Sequence, residues 1–333
     1  MSGTISYAAA LVEAIYDALA ADPRVSLIGG HLLGLGPQRH LMDRVHRDFP
    51  DRIVDPPISE AGIAACGAGA AMAGMHPLVD LGTGSFAYLA FPQIINEAAV
   101  ARYMSNGKIG APVTFHFLPG VRGGGAAQHS HTPQAMLMNA PGLEIVAPAM
   151  PADAYGLMRT ALANDNPTVV ISHAKLLGIE GPAPADKRPL PFGRAAIPRA
   201  GSDVTIVANS YVVHQSLAAA ERLAKDGIEA EIVDLRTLAP LDEATMLASV
   251  ARTGRVVIVD ECPLRCGVAA EIAAIVAEHG FGALKAPVAR VARADAPVAY
   301  APALEAAVTP DAAKIEAAAR AVTSYHPGTR HGE

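Results

Sequence analysis

The order of the apolar segments most constrains how this chain can fold. Short runs rich in β-branched residues alternate with longer segments of helical periodicity along most of the chain. This alternation predicts an α/β fold with parallel sheets covered on both faces, because parallel strands must be joined by crossover connections. Strands are predicted at residues 24–28, 53–54, 77–81, 112–117, 143–147, 168–172, 204–208, 229–233, 256–260 and 287–291, and helices at residues 7–21, 38–48, 59–74, 90–105, 151–163, 211–226, 242–252, 268–279 and 310–323.

A proline-rich segment divides this pattern into two parts. Residues 181–191 read GPAPADKRPLP, a composition typical of a linker. The sequence therefore predicts two doubly wound domains, a larger one over residues 1–180 and a smaller one over residues 201–325. A linker at residues 181–200 is expected to join them, and residues 326–333 are expected to form a polar tail.

Composition argues against several classes of protein. The chain is 51% hydrophobic and 17% charged, which is incompatible with general disorder. A net charge of -6 and an aromatic content of 5% without tryptophan argue against nucleic-acid binding. The sequence contains no uninterrupted apolar segment of about 20 residues, so no membrane span is predicted. Three cysteines (Cys66, Cys262 and Cys266) and no visible secretory signal predict a reducing, cytoplasmic location without disulfides.

A carboxylate stands at the start of a predicted helix made of small residues. Residues 55–60 read DPPISE, so Glu60 follows a rigid Pro-Pro turn and Ser59 is the expected N-cap. The small residues Ala61 and Gly62 leave room in front of the carboxylate for a flat ring. Glu60 can then exchange a proton with a ring nitrogen, or it can simply complement the helix dipole. The local residues leave both interpretations open.

Two loops add candidate binding residues. Phe86 follows the predicted strand 77–81, at the strand end where open parallel sheets bind ligands, and it can stack on a flat ring or pack in the core. Residues 123–131 read GGGAAQHSH, a glycine run followed by two histidines. His129 suits proton transfer near neutral pH. His131 has the same chemistry, and the spacing does not choose between them or exclude ordinary surface histidines.

Several familiar motifs are missing or out of context. The glycines of residues 67–74 lie inside a predicted helix rather than in a strand-to-helix turn, so they indicate close helix–helix packing and not a dinucleotide fingerprint. The sequence has no Walker motif, no Gly-Asp-Gly and no nucleophile elbow. A P-loop nucleotide site and an α/β-hydrolase are therefore not predicted.

Taken together, the chain resembles the beta subunit of the thiamine-diphosphate-dependent decarboxylase component of 2-oxo-acid dehydrogenase complexes. This transketolase-like family includes pyruvate, branched-chain and acetoin enzymes. The ordered segments that carry the resemblance are residues 53–60, 67–74, 93–96, 126–130, 141–143, 164–167, 234–242, 267–271 and 294–297. The resemblance implies a pyrimidine-binding first domain and a transketolase C-terminal-like second domain.

The resemblance also implies cofactors and partners. Thiamine diphosphate would be shared with an alpha subunit in an α2β2 heterotetramer. The alpha subunit would hold Mg²⁺ and the diphosphate through the Gly-Asp-Gly motif that this chain lacks. Glu60 matches the glutamate that bonds the pyrimidine ring nitrogen, Ile58 and Phe86 match cofactor contacts, and His129 matches the histidine that faces the substrate. A structural K⁺ is implied at Val113, Ala161, Asn164 and Asn166.

The implied reaction is oxidative decarboxylation of a small 2-oxo acid, with acyl transfer to the lipoyl group of an acyltransferase core. A diketone- or acetoin-cleaving enzyme of the same family is an alternative. The C-terminal half of a split transketolase and a subunit that serves only as an assembly platform are two further alternatives.

The chain departs from the family pattern at several positions. Residues 28–31 read IGGH where the family has an acidic pair, and the other replacements are Gly84 for phenylalanine, Leu89 for glutamine, Pro92 for aspartate, His116 for arginine and Asn164 for aspartate. These changes are expected to surround the pocket, with Gly84 enlarging it and His31 adding a titratable donor. They predict a substrate other than pyruvate.

Overall fold

The structure is a computed structural model that describes residues 3–29 and 32–326. Within these ranges the chain forms two compact units, and each is described by itself. The first unit comprises residues up to 122 together with 128–192 and 238–240, and the second comprises residues 123–127, 193–237 and those from 241 onward. The predicted linker, residues 181–200, is divided between the two units after Phe192.

The strands and helices follow one another along the chain as the alternation predicts. The strands are β1 (Thr4–Ser6), β2 (Val25–Ile28), β3 (Ile53–Val54), β4 (His76–Thr83), β5 (Thr114–Leu118), β6 (Glu144–Val146), β7 (Thr168–Ile171), β8 (Glu180–Pro182), β9 (Ala196–Arg199), β10 (Val204–Ala208), β11 (Ala230–Asp234), β12 (Thr237–Ala239), β13 (Val256–Pro263) and β14 (Ala289–Arg293). The helices are α1 (Tyr7–Ala21), α2 (Asp43–Asp48), α3 (Glu60–Met72), α4 (Ala87–Phe91), α5 (Ala101–Met104), α6 (Gln134–Met138), α7 (Pro151–Ala163), α8 (Val212–Ala224), α9 (Glu243–Thr253), α10 (Val268–His279), α11 (Pro302–Val308) and α12 (Ala312–Thr323). Among the described residues, none of these helices combines the length and the apolar character needed to cross a membrane.

The first unit contains a seven-stranded sheet in the order β12-β6-β7-β5-β4-β2-β3. Neighbouring strands from β6 to β3 in this order are all parallel. Successive side chains of a strand point to opposite faces, so Val79 and Asp80 of β4 face different layers. Val79 lies against Gly67 of α3, whereas Asp80 belongs to a hydrogen-bonded cluster that reaches Tyr7 of α1. Helices therefore cover both faces of this sheet.

The second unit contains a five-stranded sheet in the order β14-β13-β10-β11-β9. Its strands are parallel except β9, which pairs antiparallel at the edge next to β11. Strands β10 and β11 are buried over their full length, as expected for central strands with helices on both faces. The predicted fold class, two α/β domains of unequal size with parallel sheets, is confirmed.

Some local predictions are wrong, for identifiable reasons. The predicted helix at residues 90–105 is instead α4, a π-helical segment at Pro92–Ala98 and α5. Pro92 has no N–H to continue the helical hydrogen-bond ladder, which favours a local change of helix type. The predicted helix at residues 38–48 begins as a 3-10 segment and becomes α2. The sequence pattern does not predict strands β1, β8, β9 and β12 or helices α6 and α11.

The small residues of α3 allow a close approach to the sheet. A Cβ added to Gly67 would overlap Cγ2 of Val79, whereas a Cβ on Gly69 would meet nothing within 4 Å. The packing predicted between two helices is therefore, at Gly67, packing of a helix against strand β4.

We predict that Gly67→Ala destabilises the isolated chain by about 1–3 kcal/mol, because Val79 is fully buried and has no room to move. Gly69→Ala on the same helix is the matched control. It should leave stability unchanged or raise it by up to about 1 kcal/mol, because alanine is the better helix former. Chemical denaturation of both variants measures the difference, and equal stabilities would contradict the packing described here.

Asp242 is a second local determinant, in the other unit. Its carboxylate caps α9 by accepting the Thr245 N–H at 3.1 Å and hydroxyl at 2.8 Å, and it also accepts the Ala195 N–H at 2.9 Å. Burial opposes ionisation of this group, but the hydrogen bonds from Ala195 and Thr245 outweigh it. They hold the pKa of Asp242 below its ordinary value.

We predict that Asp242→Ala lowers the free energy of unfolding by about 1–2 kcal/mol at neutral pH and speeds amide hydrogen exchange in α9. A lowered pKa in the folded state means that this stabilisation is complete above the unfolded-state pKa of about 3.9 and is lost as the pH falls below it. The difference in unfolding free energy between wild type and Asp242→Ala should therefore become smaller at acidic pH. Asp311→Ala, which removes the cap of α12, is the control and should leave exchange in α9 unchanged.

Candidate active site

A cavity of about 350 Å³ opens at the carboxyl end of β4 in the first unit. This is the sheet edge at which open parallel sheets bind ligands. The exposed surface of the lining is mostly apolar, and five polar or charged side chains converge on it, a mixture that is typical of small-molecule sites. The lining residues are Gly34, Ile58, Glu60, Ile63, Asp80, Leu81, Gly82, Thr83, Phe86, Leu118, Arg122 and His129.

Four of the predicted site residues line this one cavity, namely Ile58, Glu60, Phe86 and His129. Glu60 is the first residue of α3 and is half-buried. Ser59 occupies the N-cap position, and its carbonyl accepts the Ile63 N–H at 2.8 Å, but its side chain makes no capping hydrogen bond. The predicted hydroxyl cap is therefore wrong, although the helix begins where the Pro-Pro turn predicts.

The structure distinguishes the two histidines that the spacing left open. The ring of His129 packs edge-on against Phe86, with centroids 5.5 Å apart and an interplanar angle of 83°. His131 instead packs against Tyr88 at 5.4 Å, and its backbone N–H donates to Ser85 Oγ at 3.3 Å. His129 therefore lies beside the predicted stacking ring and lines the cavity, whereas His131 is not among the lining residues.

A buried polar cluster lies behind the cavity. His116 Nδ1 lies 2.8 Å from Asp80 Oδ1, and His116 Nε2 lies 3.0 Å from Ser172 Oγ. Tyr7 donates its hydroxyl to Pro148 O at 3.2 Å and also lies 3.4 Å from Ser172 Oγ. All four side chains are almost completely inaccessible to solvent. The two ring nitrogens of His116 thus join Asp80 on β4 to Ser172 after β7.

Asp80 connects this cluster to the cavity wall. Its second oxygen accepts the Leu33 N–H at 2.8 Å, and its first also accepts the Gly82 N–H at 3.2 Å. Gly82 and Gly34, next to Leu33, both line the cavity. Sequence reasoning noted His116 only as a replacement and missed Asp80. The available signal was a charged residue within an otherwise apolar predicted strand.

The other departures lie in different places. A Cβ on Gly84 would come 2.5 Å from Cβ and 2.6 Å from Cα of Pro119, so Pro119 fills the space that a side chain would need. The expectation that Gly84 enlarges the pocket is therefore wrong. Leu89 is 57% exposed and, like Pro92, is not among the lining residues. Gly30 and His31 lie outside the described residues.

The residues predicted to hold K⁺ gather around Thr168. Val113 O accepts the Thr168 N–H at 2.9 Å, Asn166 O accepts its hydroxyl at 3.3 Å, and Asn164 Nδ2 donates to Thr168 Oγ1 at 2.9 Å. Ala161 O accepts from Asn164 N and Thr114 Oγ1. These carbonyls have hydrogen-bond donors within the protein, and an amide replaces the family carboxylate. The donor set therefore gives no independent support for a cation, and the K⁺ site stays a prediction.

Metal sites built from side chains are a separate matter. In the part of the chain that the structure describes, no group of three or more His, Cys, Asp or Glu residues is arranged to hold a metal ion.

We predict that Asp80 and His116 are energetically coupled. Asp80→Asn and His116→Gln should each lower the free energy of unfolding. The double variant should lower it by about 1–3 kcal/mol less than the sum of the two single losses. Thr114→Val is the control, because its buried hydroxyl bonds Ala161 O and not Asp80. The loss of unfolding free energy in Thr114→Val should add to the loss in Asp80→Asn. Additive losses for Asp80→Asn and His116→Gln would contradict the network.

Two family matches cover most of the chain. The family described as "Transketolase, pyrimidine binding domain" matches residues 3–179, and "Transketolase, C-terminal domain" matches residues 193–315. A solved chain described as "Split gene transketolase, inactive beta4 tetramer" has a TM-score of 0.79 at 23% identity, covering 97% of this chain and 99% of that chain. At this identity the structural likeness establishes the fold alone.

Curated relatives are similar over nearly their whole length. The beta subunit of acetoin:2,6-dichlorophenolindophenol oxidoreductase from Cupriavidus necator is 41% identical, over 96% of this chain and 98% of the relative. The beta subunit of 2-oxoisovalerate dehydrogenase from Bacillus subtilis is 37% identical over 96% and 99%, respectively. The beta subunit of the pyruvate dehydrogenase E1 component from Rickettsia conorii is 38% identical over 95% and 97%.

These matches confirm the family resemblance that the ordered sequence segments indicated. The chain therefore belongs to the family of beta subunits of thiamine-dependent 2-oxo-acid and acetoin dehydrogenases, with a transketolase pyrimidine-binding domain followed by a transketolase C-terminal domain.

Proposed function

We propose that this chain is the beta subunit of a 2-oxo-acid dehydrogenase that binds the pyrimidine end of thiamine diphosphate and acts together with an alpha subunit. The observation that carries the proposal is the convergence of Glu60, Phe86 and His129 on one cavity. A carboxylate, a stacking ring and an imidazole are the groups that the family uses on this cofactor.

The cavity fits a flat, partly apolar ring. Ile58, Ile63 and Phe86 supply apolar surface for the faces of the ring. Glu60 lies between the two isoleucines in sequence and supplies a carboxylate to the same cavity. The chain lacks a Gly-Asp-Gly motif, so we assign Mg²⁺ and the diphosphate to an alpha subunit in an α2β2 assembly. The beta-subunit names of the relatives support this assignment.

The residues of this chain would divide the work among them. When bound, thiamine diphosphate supplies an electron sink for cleaving the bond next to a carbonyl group. Glu60 would hold a proton between a carboxylate oxygen and the pyrimidine ring nitrogen, while Phe86 orients that ring by stacking. His129 would exchange a proton with the substrate oxygen near neutral pH. The apolar lining would exclude water from the reacting groups.

The proposed substrate class is a small 2-oxo acid, with acyl transfer to a lipoyl acyltransferase core. A second candidate is cleavage of acetoin or a diketone with the same cofactor. It is favoured by the relative from Cupriavidus necator, which is named as an acetoin oxidoreductase. The likeness to a split transketolase is a likeness of fold. The retained Glu60, Phe86 and His129 argue against a subunit that serves only as a platform.

We also propose a cytoplasmic location, because the three cysteines are free rather than paired.

We predict that Glu60→Gln lowers cofactor-dependent turnover of the reconstituted complex by about 100-fold or more, because the amide cannot hold the transferred proton. Glu97→Gln, an exposed acid of the same unit, is the control and should keep wild-type activity. Turnover is followed by product formation and thiamine diphosphate affinity by calorimetry. Full activity of Glu60→Gln would overturn the proposed function, and a wild-type complex without cofactor-dependent activity would favour the platform.

A further inference from the structure

Arg122 carries a positive charge into the cavity that the proposed mechanism does not use. It lies on the loop after β5, is half-buried and lines the same cavity as Glu60 and His129. One guanidinium nitrogen, Nη2, donates to Thr83 Oγ1 at 3.1 Å. A guanidinium has five N–H donors, so most of its hydrogen-bonding capacity is not used by this contact.

The charge of Arg122 is not neutralised by the carboxylates that share its cavity. Asp80 is paired with His116 and with backbone N–H groups, and no ion pair links Glu60 or Asp80 to Arg122 among the described residues. Burial lowers the pKa of the Arg122 guanidinium, and no carboxylate acts to raise it. The side chain is thus a partly desolvated cation whose binding partner is an oxygen of a neutral hydroxyl.

A ligand that fills the cavity changes the environment of this cation. Filling removes the water that still solvates the guanidinium, and an unpaired buried charge is costly. A ligand with a carboxylate at this point compensates the loss with paired, charge-assisted hydrogen bonds. A neutral ligand of the same shape offers a carbonyl oxygen that can accept a hydrogen bond, but it leaves the buried positive charge unpaired.

We propose that Arg122 binds the carboxylate of the substrate and so selects 2-oxo acids over neutral diketones and acetoin. The inference rests on the proposed function, of which it names the substrate class. Thr83 acts as a positioning residue, because its hydroxyl accepts a hydrogen bond from one guanidinium nitrogen and both side chains line the cavity. A phosphate oxygen of the cofactor is the other anion that could meet Arg122, and the experiment separates the two.

Carboxylate binding by Arg122 has a kinetic signature. Decarboxylation removes the negative charge from the carboxylate as the carbon–carbon bond breaks, so the contact is strongest before the transition state. Loss of Arg122 should therefore raise KM for 2-oxo acids much more than it lowers kcat.

The binding experiment uses the reconstituted complex loaded with thiamine diphosphate and two unreactive probes of similar shape. Oxamate carries a carboxylate, and oxamide carries a neutral amide in its place. Calorimetry should show that Arg122→Gln weakens oxamate binding by about 10- to 100-fold and leaves oxamide binding unchanged. Arg122→Lys should retain part of the affinity for oxamate that Arg122→Gln loses, and Thr83→Val should weaken oxamate binding a few-fold. Arg47→Gln, at an exposed arginine outside the cavity, is the matched control.

The turnover experiment compares 3-methyl-2-oxobutanoate with 4-methylpentane-2,3-dione, in which a methyl ketone replaces the carboxylate. Arg122→Gln should raise KM for the acid and leave that for the diketone unchanged. Equal losses for both compounds, or unchanged oxamate binding, would overturn the proposal. A selective loss of thiamine diphosphate affinity would overturn it in favour of a phosphate contact. If no compound is turned over but oxamate binding still depends on Arg122, the proposed function fails and the carboxylate site stands.

Discussion

The hydrogen bonds of the Asp80 carboxylate hold the wall of the cavity in place. Asp80 lies on β4, its partner His116 on the neighbouring β5, and Ser172 directly after β7, so one polar cluster crosses three strands of the sheet. The same carboxylate accepts the N–H group of Leu33, next to the lining residue Gly34, and the N–H group of Gly82, a lining residue near the end of β4. An isolated buried carboxylate would be costly, but this one is compensated at both oxygens. The backbone near the ligand is therefore fixed before any ligand binds.

The position of Glu60 depends on a different constraint, the close approach of α3 to the sheet. Gly67 allows the helix to contact Val79 directly, and the preceding Pro-Pro turn fixes where the helix starts. The distance from Gly67 to Glu60 is two turns of helix, so a shift of α3 on the sheet would move the carboxylate by a similar amount. Val79 and Asp80, adjacent on β4, thus hold the two sides of the site from opposite faces of one strand.

The sequence predicts the fold better than it predicts the interior of the site. Alternating apolar runs identify the central strands because each is buried on both faces, whereas the short strand β12 pairs through contacts distant in sequence and carries no such pattern. Glu60, Phe86 and His129 are found because each stands in a distinctive local segment. Asp80 and His116 become meaningful only through the register of β4 and β5, which places them side by side. Gly84 misleads for a related reason, because the space beside it is filled by Pro119, a neighbour that no local pattern reveals.

Charge distribution separates two tasks within one cavity. Glu60 stands at the N-terminus of α3, where the helix dipole stabilises a negative charge. In the proposed function, its carboxylate shares a proton with a nitrogen of the pyrimidine ring. Arg122 stands after a strand and has no carboxylate partner among the described residues, so we infer that an anionic ligand pairs with it. A neutral diketone of similar shape can accept a hydrogen bond there but leaves the guanidinium charge unpaired. Because the two charges are not paired with each other in the described structure, each remains available to a ligand. Under the proposed function, substitutions of Glu60 would therefore affect proton transfer on the cofactor separately from recognition of the substrate by Arg122.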